Sequence, residues 1–382
     1  MFGMLMHGNQ GSGFATVVYG RAMLPGLESQ WRALCKRSVE DNVYYAPAYM
    51  LALLDSVAAS SDVKIVTGWD GNRLIAFLPV ILRKLTVPGL IASGEAWRTD
   101  YTNNCLPLLD DEQPDAAACT ILHGLLMLKR SEWVVPELNS EGAVCHALRR
   151  ALESCGAPYS LDREFERASL SIGPSFDEHM KAHVSSKRRR ELARNRRRLE
   201  ENGKLTLRTE TSGPGLVEAV QAFLTLEASG WKGSRGTALA CSPETKAFAK
   251  QAYGTSSIES ASRVDLLLLS GKPIAAGVIV FSGSTGFTVK GAYDEAYGSF
   301  GAGLLLEQEV IKSFLTDRWA KRLDAATNGR HVIDCLWPDK VRVADLAFSL
   351  AGVGASNRLR AMLMLRSAAR GTKTMLKRLL KR

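Results

Sequence analysis

The chain has 382 residues, 46% of them hydrophobic, and a formal net charge of +10, enough apolar material for a sizeable core and, by length, for two domains. Its seven cysteines contain no C-x-x-C pair and no run of 18 apolar residues occurs, which gives no support to a disulfide framework, a secretion signal or a membrane span and leads us to expect the chain in a reducing cytoplasm. The charge is concentrated: Lys187 to Arg198 holds eight Lys/Arg against one Glu, and Arg358 to Arg382 holds nine with no acid, so an acidic body carries two basic patches and the chain is not a globally basic nucleic-acid binder.

In chain order, helical patterning is expected at Leu27–Arg37 and Pro47–Ala58. The apolar stretches Val63–Trp69 and Arg73–Leu82, joined through Asp70-Gly71-Asn72, read as a hairpin. Strand-like pieces at Val87–Ala92 and Leu106–Leu109 and helices at Ala116–Leu128 and Gly142–Cys155 complete a mixed sheet. The extended segment Ser160–Pro174 marks a crossing near residue 170. Phe176–Gly203 reads as one helix closed by Asn202-Gly203, followed by a strand at Leu205–Thr209 and a helix at Pro214–Ala228. Strands Val264–Leu269, Pro273–Phe281 and Thr285–Ala292 come next. A glycine-rich loop, Tyr297 to Gly303, then opens the helix Leu304–Leu315, and Arg322–Thr327 returns as a strand. Beyond Asn357 a basic amphipathic helix is expected, interrupted at Gly371. The two hairpins, about 200 residues apart, share one plan, so a duplication is expected. The resulting α/β layout has an N-terminal half over residues 1–170, a C-terminal half over 171–350 and a tail over 351–382.

Several blocks together resemble a known family. They are the run from Lys187 to Gly203, Phe223-Leu-x-Leu-Glu-Ala-Ser-Gly-Trp-Lys-Gly233 with Gly236-Thr-Ala238, Lys290-Gly-Ala-Tyr-Asp-Glu295, and Phe300-Gly-x-Gly-Leu-Leu-Leu306. In this order they are similar to the CelD/BcsL-like acetyltransferases of the GNAT superfamily, over roughly residues 30–350. The resemblance implies two tandem GNAT-like halves, akin to Fem-type aminoacyltransferases. It further implies direct acyl transfer from acetyl-CoA or another acyl-CoA to an amine or hydroxyl acceptor, in polysaccharide or cell-envelope biosynthesis. The superfamily's pyrophosphate loop begins with Gln or Arg; here Gly298 takes that place, followed by Gly301 and Gly303.

Acyl transfer needs a held thioester, a deprotonated acceptor and stabilisation of the oxyanion. In GNAT folds the strands equivalent to Thr285–Ala292 and Arg322–Thr327 splay apart, exposing backbone to the pantetheine arm. The loop Gly298, Ser299, Phe300, Gly301, Ala302 and Gly303 sits where backbone N–H groups can meet a pyrophosphate, against the alternative of a flexible helix entry. Asp324 is a candidate general base, or else an ion-pair partner of Lys321 or Arg322. Tyr293 can protonate the departing thiolate, and His331 has a useful unperturbed pKa, although a strand-end tyrosine commonly packs and a lone loop histidine is commonly only solvated. Trp231, Lys232 and Lys290 are candidates for gripping a sugar or anionic acceptor. The Arg-rich helix, with only Leu192 and Leu199 as an apolar seam, either contacts phosphate or is a solvated face; without interleaved aromatics it does not read as a nucleic-acid surface. The basic tail suits an anionic membrane surface, placing the protein in the cytoplasm and peripherally at the inner membrane face, or else docks on the acidic body. His179 and His183 lie four apart without a third ligand, so no metal is expected.

Overall fold

The computed structural model describes residues 5–8, 13–83, 93–254 and 261–379. Its first half runs β1 (Leu5–Gly8), β2 (Phe14–Gly20), α1 (Leu24–Lys36), α2 (Pro47–Leu54), β3 (Lys64–Asp70), β4 (Arg73–Leu82), β5 (Ser93–Ala96), β6 (Leu108–Leu109), α3 (Pro114–Met127), β7 (Glu132–Asn139), α4 (Ala143–Ser154) and β8 (Tyr159–Ser171). There follow α5 (Phe176–His183), α6 (Ser186–Glu200), β9 (Leu205–Glu210), α7 (Gly213–Ser229), α8 (Trp231–Ser234), α9 (Pro243–Gly254), β10 (Ser262–Leu269), β11 (Lys272–Ser282), β12 (Thr285–Tyr293), α10 (Ala302–Asp317), β13 (Arg322–Asp324), β14 (Asp339–Ser349) and α11 (Ala355–Leu379). Two compact units result. One takes the described residues up to Tyr45, Asp62–Phe165 and those from Arg342 on; the other takes Ala46–Ser61 and Glu166–Val341.

In the first unit the strands lie in the order β1-β2-β3-β4-β5-β7-β14, with β6 beside β4. Among the described residues only β5 and β7 pair in parallel there, and the connection between them carries β6 and α3. Helix α3 lies close on β3: a Cβ on Gly124 would stand 2.3 Å from Val66 Cγ1, so only glycine admits this approach. The second unit repeats the plan with β9-β10-β11-β12-β13-β8, its one parallel pair β12 and β13 being joined through α10. Each unit is completed by a strand from elsewhere in the chain: β14 pairs antiparallel with β7, and the end of β8 with β13.

The hairpins form as their turns dictate. Leu269 faces Lys272 across a two-residue turn in which both Ser270 and Gly271 have positive φ, the geometry that matches the twist of the flanking strands. In the second unit Leu305, Ile311 and Phe314 of α10 bury against Ile274, Ile279 and Leu323 of the sheet, with Leu192 and Leu199 of α6 in the same core. Helices α7 and α9 pack with α2, whose Tyr49 meets the Phe248 ring edge-on at 5.4 Å. No helix among the described residues is long and apolar enough to cross a membrane.

Several expectations are corrected. Phe176–Gly203 is two helices, because the Ser185 hydroxyl accepts the Arg188 N–H and restarts the helix. The helix α11 runs through Gly371 without a break; one glycine costs about 1 kcal/mol and need not end a helix. Trp231-Lys232-Gly233 forms a helical turn, α8. Residues 295–300 are not an open glycine loop but a tight 3-10 turn. The strand expected at Val87–Ala92 lies outside the described residues.

Candidate active site

The gap expected in the second unit's sheet follows from the register. β12 and β13 pair only at Thr285↔Arg322, Gly286↔Leu323 and Phe287↔Asp324, while β12 continues to Tyr293. Its free length carries a bulge, since Val278 faces Lys290 and Ile279 faces Thr288, leaving Val289 without a partner on β11. Backbone groups are therefore available along one edge of β12.

Asp324 sits at the base of this gap, 2% exposed. Its partner is neither Lys321 nor Arg322 but the equally buried Arg167 of β8, whose Nε lies 2.8 Å from Asp324 Oδ1. The same carboxylate accepts the N–H of Ala326 at 2.8 Å, and Ala326 is held at φ +50°, a conformation that costs a non-glycine residue on the order of 1–3 kcal/mol. Asp324 thus bends the chain out of β13, which opens the gap.

Tyr293 closes β12 at the rim, 41% exposed. At about 3.3 Å per residue it stands roughly 20 Å along the strand from the level of Asp324, so these two are not brought together. Its ring covers the turn: positions for a Cβ on Gly298 and Gly303 lie 3.5 and 3.7 Å from it. His331 is exposed and caps a short 3-10 turn, its Nδ1 accepting the Ile333 N–H.

The turn Glu295–Phe300 bonds internally, and Gly301, at φ +65°, links it to α10. A side chain is strained in that left-handed conformation. The N–H groups of Leu304 and Leu305 both donate to the Gly301 carbonyl, so Ala302 and Gly303 supply the N–H groups that head the helix. Gly298, Ser299 and Phe300 belong to the turn itself.

Trp231 and Lys232 do reach this end of β12. The Trp231 N–H donates to Glu295 Oε1 at 2.7 Å, and the indole, 47% exposed, lies under the Arg235 guanidinium. Lys232 is engaged: its Nζ donates to Glu227 Oε1 at 2.9 Å and to the Gly291 carbonyl at 3.0 Å, tying α8 to β12. Lys290 is half-buried on β12.

Asn195, Arg198 and Glu307 were not singled out in the sequence. Helix α6 packs beside the 295–300 turn: the Arg198 guanidinium lies 5.0 Å from the Phe300 ring centre, and Asn195 Nδ2 lies 3.8 Å from a Cβ placed on Gly301. The signal for Asn195 was a polar residue falling between Leu192 and Leu199 on the buried seam. On α10, burial pushes Glu307 up to about 7, moderated by the Trp337 Nε1–H it accepts at 2.8 Å and reinforced by Asp265. The His179 Nε2–H donates to the Leu336 carbonyl, 2.9 Å away, and burial lowers its pKa. Among the described residues no cluster of His, Cys, Asp and Glu could hold a metal ion.

No curated protein sequence matches the chain. Among solved structures, FemX superposes with a TM-score of 0.54 at 11% identity, covering 85% of this chain and 96% of its own. The C-terminal domain of a protein described as a lysylphosphatidylglycerol synthetase, from Agrobacterium fabrum, gives 0.52 at 12% identity over 89% and 96%. A conserved protein of unknown function from Bacteroides thetaiotaomicron gives 0.51 at 11% over 87% and 99%. At such identities the likeness concerns the fold. Residues 186–329, the stretch that holds α6, β12, the 295–300 turn, α10 and β13, match the family model of the acetyltransferase (GNAT) domain.

Proposed function

We propose that the protein is an acyl-CoA-dependent acyltransferase, of the CelD/BcsL-like kind, moving an acetyl or other acyl group to an amine or hydroxyl acceptor in polysaccharide or cell-envelope biosynthesis. The observation that carries this reading is the parallel pairing of β12 with β13, which stops after Phe287 beside a turn that heads α10. An acyl-CoA laid there has its diphosphate at the N–H groups of Ala302 and Gly303 and its pantetheine arm along the freed edge of β12. Backbone N–H groups of that edge donate to the thioester oxygen as it becomes an oxyanion. The acceptor enters beside Trp231 and Lys290; Lys232 holds α8 in place. Its nitrogen or oxygen attacks the thioester carbon and the C–S bond breaks. The thiolate takes a proton from Tyr293 at the rim, and Tyr293 regains one through water from the attacking group. Asp324 acts by shaping the gap, and His331 by capping its turn.

Calorimetry with acetyl-CoA tests the reading. Wild type is expected to bind, and Gly301→Val, which forces a β-branched residue to positive φ, to bind at least tenfold more weakly. No binding by wild type at millimolar ligand, or equal binding by the variant, favours a second reading: a non-catalytic module for an anionic polymer or membrane. The feature behind that alternative is the stripe Lys187, Arg190, Arg194 and Arg197, which lines a cleft of about 920 Å³ and has no acidic partner among the described residues.

A further inference from the structure

The buried seam of α6 contains one polar side chain. Leu192 and Leu199 are 1% and 0% exposed, and Asn195 between them is 7% exposed. Burying a carboxamide is costly unless it is hydrogen-bonded, yet among the described residues the Asn195 side chain makes no hydrogen bond. Its Nδ2 lies 3.8 Å from the place a Cβ would take on Gly301, against the start of α10, where Ala302 and Gly303 offer their N–H groups. Arg198, less than one turn further along α6, rests on the Phe300 ring and has no acidic partner among the described residues. Arg196 is different: it pairs with Glu309 of α10 and Glu200, so it fastens α6 to α10.

We infer that α6 is the second wall of the donor's phosphate site, Asn195 Nδ2 donating to one phosphate of the diphosphate and Arg198 leaving Phe300 to fork onto the other. This rests on the acyl-CoA reading above. A single carboxylate would satisfy the helix terminus but leave the guanidinium without a partner; two linked phosphates use both donors, and a guanidinium matches phosphate oxygens in a bidentate way.

The test pairs ligand-free melting with CoA calorimetry on the full chain. Asn195→Leu replaces an amide with no hydrogen bond among the described residues by an apolar group of similar size on a buried seam, so its melting temperature should equal or exceed that of wild type while its Kd for CoA rises at least tenfold. Arg198→Gln should raise the Kd about tenfold with melting unchanged, and it decides the matter alone if the Leu variant does not fold. A purely structural asparagine would show the reverse pattern, lower melting with unchanged Kd, and that result overturns the inference. Wild type that binds CoA together with variants that bind it equally well sinks this inference alone; wild type that does not bind CoA sinks it with the reading it rests on.

Discussion

Asp324 is the residue whose role changed most between sequence and structure. Its place on the strand after α10 was legible, but that strand ends at Asp324 where Thr327 was expected, and its partner was not legible, because Arg167 lies far away in sequence and is brought there only by the pairing of β8 with β13. Asp324→Asn should keep the acceptor for the Ala326 N–H yet remove the negative charge beside the buried Arg167 guanidinium, costing roughly 3 kcal/mol in urea unfolding at pH 7. Unchanged stability with lost transfer would instead mark Asp324 as a base. Glu307 was invisible in the sequence, being one acid among several on α10. Its carboxyl is raised from its ordinary 4.5 to about 7 by burial, so its proton favours the folded state: the contribution is full below pH 4.5 and is lost as pH rises through about 7. That difference amounts to about 3 kcal/mol. Glu307→Gln, which can still accept from Trp337, should be more stable than wild type at pH 8 and lose the advantage at pH 4.5; parallel stability profiles for the two proteins would refute this.

At the scale of elements, hydrophobic period and turn chemistry located the hairpins and α7 to within a few residues, because each such signal is local. Capping and 3-10 geometry were less accessible: Ser185 divides the basic helix, and residues 295–300 tighten into a turn, through hydrogen bonds that composition does not reveal. The tail shows the same limit. Its spacing gave an amphipathic helix, but the partners of its arginines come from tertiary structure. Arg358 grips Glu132 with both Nε and Nη2, at 2.6 and 3.0 Å, Arg366 meets Asp345, and Arg370 meets Asp162. Burial acts to raise the Glu132 carboxyl, yet hydrogen bonds from Arg358, Ser131 and Ser349 outweigh it and hold the group below its usual range. The pair therefore adds stability above that range and loses it as pH falls. Arg358→Ala should cost roughly 3 kcal/mol at pH 7 and clearly less at pH 3.5, read by urea midpoints at both; an equal cost at the two pH values would assign the arginine to packing alone.

Across the whole molecule, the duplication was readable from two hairpins, whereas the exchange of closing strands was not: β8 and β14 each complete the sheet built by the other part of the chain, and no local pattern announces a strand's neighbour. The same division governs charge. The net positive excess lies in α6 and the tail, but ion pairs to Glu132, Asp345 and Asp162 engage Arg358, Arg366 and Arg370 of the tail. Among the described residues α11 exposes Met364 at 71% and Met375 at 65%, with the exposed Arg360 one turn before Met364. Exposed apolar side chains bind a bilayer by insertion, so we propose peripheral membrane contact through these methionines. Met364→Asp combined with Met375→Asp should then abolish sedimentation with anionic liposomes, and most wild-type binding should survive 0.5 M salt, where the Debye length is only about 4–5 Å. Because the phosphate site belongs to the other unit, CoA binding should be unaffected in this variant. Sedimentation that persists in the double variant but disappears with salt would move the membrane contact from these methionines to the chain's basic residues.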